Sequence, residues 1–219
     1  MVRVDDSAKS LGVFVAFSEV KGVSNGYPEF EKEMVDAEKK CSSGDLEKLK
    51  DDPVVRAYRD FYWKIGIDPT KVRPAGEALR RRLLRGGKLP RINFIVDVGN
   101  VVSCETLVPI GIYDRAKFNE EPVIRLSMGG EVFYGIGKKE PEVLPKGVPI
   151  MVSGETVMHI YPHRDSVITS VGEGTRDVLV VCAGVPGVEP SLVEGACNKV
   201  VTFLREYGKG EVISPVRLA

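Results

Sequence analysis

The sequence predicts a single α+β domain in which N-terminal helices pack on a mixed or antiparallel sheet and a C-terminal helix closes the fold. Three observations carry this expectation. Helical spacing of apolar residues dominates as far as Val108, short β-forming runs separated by turn residues follow from Pro109, and a long amphipathic pattern lies near the end. Helices followed by a run of strands give an α+β arrangement, whereas regular alternation would give a doubly wound parallel sheet. No internal repeat or low-complexity linker divides the 219 residues, a length that can enclose one sizeable core.

Leu11-Gly-Val-Phe-Val-Ala-Phe17 is rich in β-branched and aromatic residues and reads as a buried strand. Pro28 stands near the start of a helix whose Phe30, Met34, Ala37 and Cys41 recur at helical spacing. The next helix has Asp52 as its cap, Pro53 in its first turn and Gly66 at its end. Its Val54, Tyr58, Phe61, Tyr62 and Ile65 form a face for the core rather than a base-stacking surface. Pro74 opens a third helix that runs to Arg85 and stops at Gly86-Gly87, with Leu79 and Leu83 on one side. Ile92 to Val108 reads as a largely buried helix. Val123–Leu126 and Val132–Tyr134 flank Gly129-Gly130 as one hairpin, and Pro149–Val152 and Val157–Tyr161 flank Ser153-Gly154-Glu155 as a second. Val178–Cys182 reads as a central strand. Pro190 to Tyr207 is the closing helix, with Leu192, Ala196, Val200, Phe203, Leu204 and Tyr207 on one face.

Composition bounds the function. At 43% hydrophobic and 28% charged residues the chain is ordinary globular protein, and its formal net charge is zero. Coating nucleic acid through bulk charge is thereby excluded, and any RNA contact needs a local basic patch. Cys41, Cys104, Cys182 and Cys197 form no CxxC pair, which points to buried reduced thiols rather than a zinc site or disulfide framework. The N-terminus is charged and no apolar run is long enough for a bilayer, so a cytoplasmic protein without a membrane partner is expected.

No cofactor and no metal are expected either. Gly135-Ile-Gly137 is followed by Lys138-Lys-Glu-Pro141 instead of a helix N-terminus that could hold a pyrophosphate. His159 and His163 lie on a strand and turn that do not aim both rings at one ion, and adjacent Asp165 and Ser166 do not make a triad by adjacency. Arg164-Asp165-Ser166 reads as a polar turn in which Asp165 or Ser166 bonds nearby backbone amides.

Two features stay open at this level. Arg80, Arg81, Arg82 and Arg85 leave one helix face strongly basic, either as an RNA contact or as a solvated face balanced by local acids. Asn93, Asp97, Asn100, Glu105 and Thr106 interrupt an apolar stretch, either as a structural network or as the lining of a small-molecule pocket.

Pro90-Arg-Ile-Asn-Phe-Ile-Val-Asp-Val-Gly-Asn100, then Glu105-Thr106 and Pro109-Ile-Gly-Ile-Tyr-Asp114, resembles the tRNA-binding and editing domain of the phenylalanyl-tRNA synthetase beta subunit. Asn93, Val96, Asp97 and Asn100 fit that family's pattern. The helix around Arg80 to Leu84 and the Gly187-Val-Glu-Pro190 helix start extend the resemblance over roughly Arg73 to Gly208. It implies a domain with that editing-domain fold, which receives the aminoacyl end of tRNA and, in the synthetase, removes mistakenly attached tyrosine. The synthetase's catalytic, ATP-binding and anticodon-binding parts have no room in this length, so aminoacylation by this chain alone is not expected.

Two departures stand out. Bacterial members place a histidine where this sequence has Gly111, and a glutamate where it has Val181. Neither residue can do acid–base chemistry, so a bacterial-type editing site is not expected. The resemblance implies instead a free-standing editing factor acting on tRNA in trans, with transient contact with a synthetase as a further partner. The catalytic candidates are Glu105, as a general base raised toward neutrality by burial, with Asn93 and Thr106. Arg164, Asp165, Ser166, Thr169 and Thr175 are the substrate-binding candidates, and Arg80, Arg81, Arg82 and Arg85 the RNA-binding ones. The alternatives are a non-catalytic module binding tRNA or an amino acid, and a structural or interaction domain that has lost the site.

Overall fold

The structure, a computed structural model, describes residues 1–26 and 29–219. A short strand β1 (Arg3–Val4) and one helical turn α1 (Asp6–Lys9) lead into β2 (Phe14–Lys21). The strand starts later than its apolar run because Gly12 turns the chain at φ +80° beneath Pro186. Helix α2 (Glu31–Cys41) follows, and the Pro28 start expected for it lies outside the described residues. In α3 (Pro53–Lys64) Asp52 accepts from the amides of Val54 and Val55 at 2.9 and 3.4 Å, the cap its sequence signals. Helices α4 (Ala75–Leu84) and α5 (Phe94–Thr106) fall where the periodicity puts them.

The contact of α4 with the end of α5 depends on one small residue. A Cβ on Gly76 would lie 2.6 Å from the backbone of Leu107, the residue that ends α5 in the left-handed conformation at φ 65°. Arg80 completes this junction. Its Nε and Nη2 donate to the Cys104 carbonyl at 2.9 and 2.6 Å, and Nη2 also donates to that of Glu105 at 3.1 Å. A cation thus satisfies the orphan carbonyls at a helix C-terminus.

The strands β3 (Ile110–Asp114), β4 (Val123–Leu126), β5 (Val132–Phe133), β6 (Glu142–Val143), β7 (Pro149–Ser153), β8 (Thr156–Ile160), β9 (Arg164–Asp165) and β10 (Val178–Gly184) come next. The closing helix α6 (Pro190–Glu206) and a final strand β11 (Glu211–Leu218) complete the chain. One sheet has the order β11-β2-β10-β3 and is antiparallel throughout; a second, β1-β4-β7-β8-β9, is mixed because β1 runs parallel to β4; β5 and β6 form a two-stranded third. Helices α5 and α6 pack together and cover the first sheet. The principal core lies between them, around Phe17, Phe94, Val98, Val180 and Val200. Phe30 meets Phe94, Phe203 and Tyr207 edge-on at 5.3 Å. The mixed α+β expectation holds.

One expected hairpin does not form. β4 pairs with β7 and β1, while β5 pairs with β6, so the two strands flanking Gly129-Gly130 belong to different sheets. The Glu131 carboxylate accepts from the Met128 and Gly129 amides at 2.8 Å and pairs with Arg125, so the turn is held as a separate loop. The second hairpin forms as expected between β7 and β8. Among the described residues no helix is long and apolar enough to cross a membrane.

Candidate functional site

Two strand pairings build the site. In the first sheet Gly111 on β3 stands opposite Val181 on β10, and in the second His159 on β8 stands opposite Asp165 on β9. The sheets meet there. Gly111, Val181, Tyr113, His159, His163 and Asp165 wall a cavity of about 50 Å³, room for a few waters. Beside it lies a larger cleft of about 410 Å³ lined by Val96, Gly99 and Asn100 of α5, by Ile110 and Ile112 of β3, and by Asp165. Ile110 and Asp165 belong to both walls. An apolar cleft with few polar groups is the usual form of a small-ligand site.

Asp165 organises the polar side. The Tyr113 hydroxyl donates to its Oδ1 at 2.7 Å, and His159 Nδ1 lies 2.8 Å from the same oxygen. Burial first, and then the Asp165 charge, push the Tyr113 phenol well above its ordinary range, so it remains a donor. Because the Asp165 carboxylate can only accept, the neutral form of His159 bonded to it has its proton on Nδ1 and its lone pair on Nε2. His163 is different. Burial, then the Arg164 charge, pull it down to about 4, so it is neutral at pH 7, and its buried Nδ1 has no partner among the described residues.

Gly111 is filled from the side. A Cβ there would lie 2.2 Å from the Tyr113 hydroxyl oxygen. The phenol that reaches Asp165 therefore takes the space in which a side chain at 111 would begin. Gly111→Ala is expected to cost about 1–3 kcal/mol through overpacking and to pull Tyr113 from Asp165. Urea denaturation and the tyrosine spectrum would check it; a variant as stable as the parent would show that Tyr113 yields freely.

The sequence-based candidates divide sharply. Asp165 is central, and it does not bond nearby amides as a turn residue: a cross-strand pair with His159 sets its direction. Ser166 does behave as a turn residue, accepting from the Ile168 amide at 3.1 Å, and is fully buried. Arg164 donates to the Ile136 carbonyl at the cleft rim. Thr169 is buried with its hydroxyl unpartnered among the described residues, and Thr175 donates to Asp114 at 2.7 Å.

The proposed catalytic set is not assembled. Asn93 caps α5 by accepting from the Val96 amide at 3.1 Å, and Thr106 donates to the Val102 carbonyl at 2.7 Å. Glu105 pairs with Lys40 and Lys199, which hold its carboxylate as an ion-pair partner between α2 and α6. None of the three lines either cavity. His159, which nearness to Asp165 along the chain does not by itself make part of a triad, is brought to that carboxylate by the antiparallel register of β8 and β9; two β-forming stretches folded back at an X-Pro are the available signal. Among the described residues no group of three or more His, Cys, Asp or Glu could hold a metal, and the four cysteines are buried.

The arginines divide as well. Arg80 is committed to the α5 carbonyls, while Arg81, Arg82 and Arg85 line an open cleft of about 460 Å³ together with Arg73.

Comparison with known proteins shows the family. A family model described as the B3/4 domain matches residues 57–209. Residues of this chain are 34% identical over 118 positions to the phenylalanine–tRNA ligase beta subunit of Nocardia farcinica, covering 54% of the chain and 14% of that protein. They are 27% identical over 119 positions to the corresponding subunit of Malacoplasma penetrans, covering 54% and 15%. The chain thus matches only about a seventh of the length of these relatives. The fold is similar to an N-terminal fragment of the phenylalanyl-tRNA synthetase beta subunit from Pyrococcus horikoshii, with a TM-score of 0.57 at 16% identity over 97% of this chain and 50% of that one.

Proposed function

The chain belongs to the B3/4 domain family, and on that premise we propose that it binds the aminoacyl end of a tRNA beside Asp165 and hydrolyses the ester of a mischarged species in trans. One observation carries the reading. A single carboxylate borders both an apolar cleft and a cavity with room for a few waters, and its Oδ1 lies 2.8 Å from Nδ1 of a histidine on the cavity wall.

The isoleucines and valines of the cleft receive the amino-acid side chain, and Asn100 with the Arg164 rim supplies polar contacts. A water in the smaller cavity gives its proton to His159 Nε2 as its oxygen attacks the ester carbonyl. Asp165 accepts the Nδ1–H and stabilises the imidazolium that forms. Collapse of the tetrahedral intermediate breaks the carbonyl–ribose oxygen bond, and the proton returns to the leaving ribose oxygen. The products are the free amino acid and a tRNA with its terminal hydroxyl restored. Tyr113 holds Asp165, and His163 stays neutral beside the reaction. A tRNA substrate puts this work in the cytoplasm, where a synthetase is a natural transient partner.

The test is a deacylation assay with labelled mischarged tRNAs, beginning with tyrosyl-tRNA for phenylalanine. Loss of one ester above the spontaneous rate is expected, unchanged in Glu105→Gln because that carboxylate is ion-paired away from the cleft. Binding of aminoacyl-tRNA without turnover would leave a non-catalytic module, and absence of binding a structural domain.

A further inference from the structure

An arginine-lined cleft lies outside the Asp165 site. Its floor is unusual. Glu77 on α4 is completely buried and is held by Arg59, whose Nε and Nη2 donate to its two oxygens at 2.9 and 2.5 Å. Arg73 and Arg81 approach the same carboxylate only to 3.8 and 3.9 Å, and the Nε of each is buried without a hydrogen-bond partner among the described residues. Burial first, and then the charge of Arg73, lower the pKa of Arg81. Arg82 and Arg85, both exposed, make no ion pair among the described residues. Several guanidinium groups therefore share one carboxylate that Arg59 already saturates.

Guanidinium forks match phosphate oxygens in geometry and charge. In a chain of zero net charge such an excess acts locally. Position supplies the second argument. Ala75, the first residue of α4, borders the His159 cavity, while Arg82 and Arg85 lie seven and ten residues further along, about 10–15 Å up the axis. That is a span of a few nucleotides.

We propose that the cleft of Arg73, Arg81, Arg82 and Arg85 binds the phosphates of an RNA strand whose 3′ end enters the Asp165 cleft. This rests on the aminoacyl-end reading above and names the second contact that such a substrate makes. Arg80 takes no part, because its fork is engaged by the α5 carbonyls.

Binding of unacylated tRNA to the whole chain, followed by fluorescence anisotropy across a salt series, tests it. Arg82→Glu/Arg85→Glu should weaken binding more than about tenfold, and Arg82→Gln/Arg85→Gln should lower the log–log salt slope by about 2, roughly 1 per arginine. Lysine at both positions should keep the slope, which a folding defect would not do. An affinity and slope unchanged by these substitutions would overturn the proposal. So would saturation of the cleft by inorganic phosphate in a protein that binds no tRNA, since the anion would then be a free one. The aminoacyl-end reading fails separately: an amide-linked tyrosyl-adenosine analogue would not bind at Asp165, while tRNA would still be held by the arginines.

Discussion

Replacing Asp165 with asparagine is expected to lower the rate of ester hydrolysis by about 10²- to 10³-fold, within the range ascribed to a positioned acid–base group, while leaving affinity for an uncleavable analogue nearly intact. The volume barely changes and the Tyr113 hydroxyl keeps an acceptor. What changes is the charge beside the histidine. An asparagine whose oxygen takes the place of Oδ1 still accepts from both Tyr113 and His159 Nδ1, so the tautomer is kept. The imidazolium that forms when His159 takes the water's proton then faces a neutral amide and loses its stabilising counter-charge. Tyr113→Phe removes one of the two hydrogen bonds made to the Asp165 side chain among the described residues but leaves the carboxylate charge beside His159, and should cost only about tenfold. A split between turnover and binding separates this from a structural role, which would depress both together. Full turnover in Asp165→Asn would mean that the reacting water is positioned elsewhere, and the polar side of the cleft would return to substrate orientation alone.

The helices are legible in the sequence and the site is not, for one physical reason. Asp52-Pro53, Pro74 and Gly86-Gly87 act on the backbone within a few residues, so α3 and α4 can be bounded locally. The His159–Asp165 pair depends on strand register, which is set by the neighbours of β8 and β9 in the sheet. The surroundings of Glu105 are hidden from the sequence for the same reason. A carboxylate near a helix end has a meaning only when the opposing surface is known, and here α2 and α6 each bring a lysine to it. The family-like segment was legible as a stretch, and its Asn100 does reach the cleft, but Asn93 and Thr106 serve the two ends of α5. Gly111 and Val181 stand out in the sequence as departures from the bacterial pattern; that they face each other across β3 and β10, with Tyr113 occupying the space beside Gly111, is visible only in the fold.

Glu77→Ala is expected to destabilise the protein by about 3–5 kcal/mol, the cost of removing one partner from a buried charge pair, which for a chain of this size lowers the melting temperature by roughly 6–20 °C. The methylene groups lost are a minor part. The carboxylate is completely buried, accepts two hydrogen bonds from Arg59, and lies within 4 Å of Arg73 and Arg81. Without it three partly buried guanidiniums face one another with no counter-charge. Glu77→Gln should recover part of the loss, since an amide oxygen can still accept from Arg59. Removing Arg59 in the Glu77→Ala background should then cost less than removing it alone, and the shortfall measures the coupling. The outcome bears on the RNA contact too. Phosphate or sulfate added to the Glu77→Ala protein should raise its stability more than it raises that of the parent, because an anion in the cleft is the one remaining partner for Arg73 and Arg81. Equal stabilisation of both proteins would mean that the arginines are kept apart by packing rather than by Glu77, and that their excess charge is already relieved by solvent.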